Sequence, residues 1–278
     1  MTLKRFLGQI AAIFELIRWK NGLLAAASVL AASVVASGRV SFDGPILAGA
    51  ASVFAVLGAG NALNDRCDAG IDRTNAPGRP IPSGRTKPAS ALAVSIVLFA
   101  AGNAVAALLL PVRSLPYPAL NSILLVLYGV FSKRIVFLPN LAVAWMSASV
   151  FLFAGAIIGS REPNILVLAA GAFLTTMSRE VFKDIEDMAG DSRAAARTLP
   201  LVLGPARAGR IARLALVPAL GLLLVPPAMR WTHAAYAVFA VPAFAALISG
   251  FFLSPPRAQR RIKLAMGFVL AAFVTGSF

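Results

Sequence analysis

The chain carries one cysteine and one histidine in 278 residues. A single thiol, Cys67, rules out an intramolecular disulfide, and its position says nothing of redox compartment. With His233 alone, no His/Cys constellation can ligate zinc or haem. Acidic residues are scarce as well: 11 Asp and Glu stand against 26 Lys and Arg, a formal charge of +15. Charged residues make up only 13% of the chain and hydrophobic ones 59%, far from the roughly 45–50% apolar and 25% charged of a soluble domain. No glycine-rich nucleotide loop occurs, and no compact basic patch is interleaved with aromatics. The positive charge is therefore not that of a nucleic-acid binder. It suits anionic headgroups at a membrane surface, and nothing indicates a protein partner.

What the chain has instead is uninterrupted apolar sequence. Residues 21–38, 44–64, 88–112, 114–132, 135–160, 163–178, 214–229, 231–256 and 264–278 contain no Lys, Arg, Asp or Glu. Such runs read as membrane spans of about 20 residues. The sequence thus predicts an all-α, polytopic membrane protein of nine transmembrane helices, with residues 1–278 as a single transmembrane domain. The run 163–178 is short for a bilayer, so its helix is expected to continue into the charged segment 179–191. Glu15, Arg18 and Lys20 interrupt any apolar core near the N-terminus, which speaks against a cleavable signal there. With the N-terminus in the cytoplasm and sides alternating, 22 Lys and Arg fall on the cytoplasmic side; only Arg39, Arg113, Arg161 and Arg230 fall opposite. That bias supports the count and the orientation together.

The few acidic residues are not scattered. Eight of the 11 lie in two short segments. The first reads Asn64-Asp65-Arg66-Cys67-Asp68-Ala69-Gly70-Ile71-Asp72. The second reads Lys183-Asp184-Ile185-Glu186-Asp187-Met188-Ala189-Gly190-Asp191, with Glu180 one turn earlier. Asp65, Asp68 and Asp72 map onto Asp184, Asp187 and Asp191 at a constant offset of 119, which suggests an internal duplication. On a helix, Asn61, Asn64, Asp65, Asp68 and Asp72 project near one face, as do Glu180, Asp184, Asp187 and Asp191. Like charges this close repel unless cations neutralise them. Oxygen-only donors suit Mg²⁺, which keeps several waters and bridges carboxylates to substrate phosphates. The charge count puts both clusters at cytoplasmic helix ends. Two such clusters facing one another would hold two or more ions around a diphosphate. Arg66, Arg73, Arg79 and Arg85 surround the first cluster, and Arg179, Lys183, Arg193 and Arg197 the second, where guanidinium forks match phosphate oxygens. A solvated salt-bridged loop pair, or a cation-transport site, is the competing reading. Transport favours charges at the bilayer midplane rather than at helix ends.

At these residues the chain resembles the UbiA superfamily of membrane prenyltransferases. The family pattern N-D-x-x-D-x-x-x-D matches Asn64, Asp65, Asp68 and Asp72, and its second pattern D-x-x-x-D matches Asp187 and Asp191, with Asp184 one turn before. Arg79-Pro80-Ile81-Pro82-Ser83-Gly84 looks like the family's R-P-[IL]-P-S-G loop; Ala76 departs from the Arg expected in its N-R-P run. The resemblance implies a nine-helix bundle around a lipid-accessible cavity, with six catalytic and metal-holding carboxylates: Asp65, Asp68, Asp72, Asp184, Asp187 and Asp191. Asn64 joins the metal set. Asn61, Arg66, Arg73, Arg79, Ser83, Arg179 and Lys183 would attend the diphosphate. A polyprenyl diphosphate would ionise there on Mg²⁺, and allylic charge would develop in an apolar chamber that excludes water.

Three segments resemble the family's archaeal lipid branch, whose members transfer a geranylgeranyl group to the glycerol hydroxyl of geranylgeranylglyceryl phosphate. They are Glu15–Asn21, Leu127–Arg134 and Arg179–Asp191. A lipid-phosphate acceptor needs cations of its own; Arg18, Lys20 and Lys133 are candidates, with Asn21, Tyr128 and Ser132 beside them. Snorkelling anchors explain the same cations, and helix packing explains Tyr128. The alternative is an aromatic prenyltransferase acting on 4-hydroxybenzoate or a related quinone precursor. An Asp or a diphosphate oxygen would serve as base for the acceptor hydroxyl.

Overall fold

Each charge-free run forms a helix in a computed structural model of the protein, which describes residues 3–131, 135–193 and 196–278, with the side chains of 3–7 and 74–75 left aside. The helices are α1 (Leu3–Leu16), α2 (Trp19–Ser37), α3 (Gly44–Cys67), α4 (Ala69–Asn75), α5 (Pro88–Leu109), α6 (Pro116–Phe131), α7 (Leu138–Ile158), α8 (Pro163–Arg193), α9 (Leu199–Leu203), α10 (Pro205–Ala228), α11 (Ala235–Phe252) and α12 (Pro255–Thr275). A single 3₁₀ turn, Val112–Ser114, precedes α6. Proline opens α3, α5, α7, α10 and α12 in their first two positions, where a missing N–H costs nothing. Among the described residues there is no strand, as expected where lipid leaves no partner for open backbone edges.

Eight helices among the described residues are long and apolar enough to cross a membrane. The expected ninth run, 264–278, lies on α12, whose first half carries Arg257, Arg260, Arg261 and Lys263. The sixth run behaves as its length demanded. Helix α8 has 31 residues, about 46 Å at about 1.5 Å per residue, against a hydrocarbon core of about 30 Å. Its charged end is surplus to the bilayer. Two further stretches outside the charge-free runs are helical: Leu199–Leu203 form the short helix α9, and α10 begins at Pro205, well before the run 214–229.

Backbone packing divides the chain into two units, one of Met1–Ser28 with Asp43–Ser132 and one of Val29–Phe42 with Lys133–Phe278. In the first, α3 packs on α5 and α6. Small residues set the approach: a Cβ on Gly102 would lie 2.9 Å from Val56 and 3.1 Å from the Ser52 carbonyl. Ser52 Oγ donates to the Gly102 carbonyl at 2.8 Å. Close backbone contact at small residues drives helix association in lipid. In the second unit α8 is central and packs against α7, α10 and α12. Its core gathers Val181 and Phe182 of α8, Leu216 and Leu223 of α10, Leu247 of α11 and Ile262 of α12.

Candidate active site

The first acidic cluster is built on a nearly continuous helix. Helix α3 ends at Cys67 and α4 starts at Ala69, but Asp68 between them keeps right-handed helical angles. The hydrogen bonds Asp68 N to Asn64 O and Asp72 N to Asp68 O, both 2.9 Å, carry the i to i−4 ladder through the join. Asp65 and Asp72 are therefore two turns apart on one face. Both are buried, at 4% and 6% exposure.

Buried carboxylates need partners, and the chain supplies two guanidiniums. Arg18 donates from Nη2 to Asp65 Oδ1 at 2.9 Å. Arg79 Nη1 lies 2.6 Å from Asp72 Oδ2 and 3.5 Å from Asp65 Oδ1, so it spans the two. Each arginine is held by local structure. Arg18 sits at the break between α1 and α2 with φ of 50°, a left-handed conformation uncommon for a non-glycine residue. Arg79 opens the Pro-rich loop. Ile81 of that loop is buried against Leu16, Ala62 and Ala91, and Pro80 is buried with it. This apolar plug seats the loop and carries Arg79 to the acids.

The remaining first-unit candidates separate into those near the acids and those occupied elsewhere. Asn64 Nδ2 donates to Asp68 Oδ2 at 3.1 Å, and Asn61 Nδ2 donates to the Ile17 carbonyl at 3.2 Å, tying α3 to the residue beside Arg18. Arg66 and Arg73 are exposed and take no part in the ion pairs to Asp65 and Asp72. Ser83 is exposed; its hydroxyl donates to the Arg79 carbonyl at 2.7 Å and accepts from Arg85 Nε at 3.0 Å, so it braces the loop. Arg85 grips Glu15 of α1 with both terminal nitrogens, at 2.6 and 3.0 Å. That hydrogen bonding raises the Arg85 pKa further, so it stays a cation. Arg18, Lys20 and Asn21 line an open cavity of about 540 Å³ with Ala11, Phe14, Glu15 and Trp19. There Lys20 Nζ stands 5.8 Å from the Trp19 ring centre. Tyr128 is half-buried on α6. Ser132 and Lys133 lie outside the described residues.

The second cluster occupies the last turns of α8. Asp184 is half-buried and accepts from Asn140 Nδ2 of α7 at 2.8 Å. Asn140 is 3% exposed and comes from 44 residues away; no spacing rule in the sequence points to it. Arg179 pairs with its neighbour Glu180. Glu186 accepts from Gln259 of α12 at 3.0 Å. Lys183 and Asp187 are exposed and Asp191 is half-buried. Arg213 of α10 stacks over the Phe182 ring at 5.6 Å and donates to the Phe251 carbonyl at 2.8 Å, a packing role beneath the cluster.

Within either unit, among the described residues, no three His, Cys, Asp or Glu side chains gather tightly enough to hold an ion unaided. The donors are nevertheless all oxygen, the chemistry of Mg²⁺, which takes one or two carboxylates and fills the rest of its octahedron with water and substrate phosphate. The acids present fit such an ion in partnership with a phosphate ligand, and would not fit zinc or copper.

The profile of the UbiA prenyltransferase family matches residues 25–273. Digeranylgeranylglyceryl phosphate synthase of Natronomonas pharaonis is 36% identical over 271 residues, 96% of this chain and 97% of its own. The enzyme of the same name from Methanothrix thermoacetophila is 34% identical, over 95% and 98%. A solved structure concerned with digeranylgeranylglyceryl phosphate synthase in membranes superposes with a TM-score of 0.84 at 27% identity, covering 97% of this chain and 98% of that one. A UbiA homologue from Archaeoglobus fulgidus bound to DMAPP and Mg²⁺ shares the fold at a TM-score of 0.75 and 16% identity, over 95% and 98%.

Proposed function

This chain belongs to the UbiA prenyltransferase family, and on that premise we propose that it transfers a geranylgeranyl group from geranylgeranyl diphosphate to the glycerol hydroxyl of geranylgeranylglyceryl phosphate. The carrying observation is the identity of 34–36% to digeranylgeranylglyceryl phosphate synthases along nearly their whole length. In the reaction the allylic C1–O bond of the donor breaks and its electron pair leaves on diphosphate. The acceptor hydroxyl forms the new ether bond to C1. Its proton passes to an Asp carboxylate or to a diphosphate oxygen.

In this reading both acidic clusters serve the diphosphate end of the donor, in one catalytic domain spanning residues 1–278. Asn64, Asp65, Asp68 and Asp72 on one side of the duplication, and Asp184, Asp187 and Asp191 on the other, hold Mg²⁺. When bound, the ion withdraws charge from the departing diphosphate. The Archaeoglobus homologue, of the same fold, is bound to DMAPP and Mg²⁺. Arg79 bridges Asp72 and Asp65 and holds them aligned. Arg66, Arg73, Arg179 and Lys183 add cations at the same helix ends. Arg18, Lys20 and Asn21, which share a cavity, receive the acceptor phosphate, with Tyr128, Ser132 and Lys133 as further candidates. Asn61 and Ser83 support these groups.

Labelled geranylgeranyl diphosphate offered to the purified protein with geranylgeranylglyceryl phosphate, and separately with 4-hydroxybenzoate, tests the acceptor. Product is expected with the glycerol phosphate alone, in Mg²⁺ and not in EDTA. Product with the aromatic only overturns the proposal.

The chain is a multi-pass membrane protein. The bias of 22 cations against four supports a cytoplasmic N-terminus and active site. The lone thiol offers a direct check, because Cys67 is exposed at the end of α3, beside Asp68. A membrane-impermeant maleimide is expected to label Cys67 in inside-out vesicles and not in intact cells. Labelling of intact cells reverses the orientation.

A further inference from the structure

Asp184 is held by a residue outside its own helix. Asn140 lies in the first turn of α7, buried, and reaches Asp184 Oδ2 on α8 at 2.8 Å. An ionised carboxylate only accepts hydrogen bonds, so chemistry requires the amide nitrogen, not the amide oxygen, to face it. The residues before Asn140 brace it. Val136 and Phe137 pack against the core that contains Val181 and Phe182 of α8. Phe137 adopts φ of 70° at the N-cap, at a cost of about 1–3 kcal/mol for a bulky residue. Pro139 then fixes the first helical turn. The turn that carries Asn140 is thus anchored to the helix that carries Asp184.

The other acids of the cluster have different neighbours. Glu180 pairs with Arg179, and Glu186 takes the side chain of Gln259. Asp184 meets a buried amide donor presented by a second helix. Occupying one carboxylate oxygen with a fixed donor orients the other, which is how partners behind a metal ligand set its direction.

Resting on the assignment of the second cluster to the diphosphate's cation, we propose that Asn140 is a positioning residue that occupies Oδ2 of Asp184 and so presents Oδ1 as the divalent-cation ligand. Asn140 itself touches neither metal nor substrate.

Binding of Mn²⁺ alone to the purified full-length protein, read from the electron paramagnetic resonance signal of the free ion, tests this without turnover. N140A is expected to weaken Mn²⁺ binding about tenfold, the lower end of the 10- to 100-fold range for such partners. N140H, which restores an N–H donor, is expected to recover most of the loss. In a D184N background, N140A is expected to add nothing. In the transferase assay, N140A should raise the Mg²⁺ requirement while kcat at saturating Mg²⁺ stays within about twofold, a split that a folding defect does not give. N140S, a smaller donor, stands in should the alanine variant fail to fold. Wild-type Mn²⁺ binding by N140A, or a penalty undiminished in D184N, overturns the proposal. Should D184N and D187A also bind Mn²⁺ as the wild type does, the metal reading of the cluster fails instead.

Discussion

Asp65 and Asp72 lie buried on one helical face and are crossed by two guanidiniums, whereas Asp187 is exposed and Asp184 meets an uncharged amide. Yet the two sets repeat one spacing at an offset of 119 residues. The same spacing of acids thus stands in two different surroundings. In the first copy, cations of the chain itself balance the carboxylates, and an apolar loop holds one of those cations in place. In the second, a buried amide from another helix donates to Asp184. On the proposed metal assignment, a divalent ion arriving with a diphosphate would compete with Arg18 and Arg79 at the first copy.

The largest expected effect removes the difference altogether. Asp68→Ala and Asp187→Ala, the central acids of each copy, are each expected to lower turnover by about 10²- to 10³-fold, the scale on which single charge-stabilising groups act, while the thermal transition of the purified protein is kept. Wild-type turnover by either one removes that copy from the site. A loss confined to one copy makes the duplication a relic rather than a pair.

A smaller effect sharpens the contrast. Arg79→Ala takes the shared cation from Asp72 and Asp65, leaving a buried carboxylate short of a partner, worth about 1–3 kcal/mol of stability. A drop of the thermal midpoint and a loss of activity of about tenfold are expected. Arg79→Lys should restore charge but not the planar guanidinium whose Nη1 stands between the two acids. Equal behaviour of the lysine and wild-type proteins would show that position, not geometry, is what the first copy needs.

Much of this was written in the sequence at short range. Charge-free runs give the spans, because lipid admits few charges, and the shortfall of 163–178 rightly extends α8 into its acids. The face shared by Asp65 and Asp72 follows from helical periodicity. The partners do not. Neighbouring Arg66 and Arg73 are exposed, while Asp65 is paired from 47 residues away by Arg18. Asn140 reaches Asp184 across 44 residues. Which cation meets which acid depends on how an apolar plug such as Ile81 seats a loop, and that is decided by packing among helices, not by spacing along one of them.

The pair between Arg85 and Glu15 marks the low end of the scale. It has the better geometry, two contacts of 2.6 and 3.0 Å, and it joins residues 70 apart. Geometry would rank it above Arg79 with Asp72. Burial reverses the order, since both of its side chains are more than two-fifths exposed whereas Asp72 is nearly covered. Water already solvates the exposed pair, so its loss leaves no stranded charge, and such pairs are worth about 0.2–1 kcal/mol. Glu15→Ala is therefore expected to shift the thermal midpoint by only a degree or two and turnover by less than about twofold, and the small shift should shrink as salt is added. A loss as large as that of Arg79→Ala would mean that the loop is held in place by its rim rather than by the buried Pro80 and Ile81, and the seating of Arg79 would then have to be ascribed to α1.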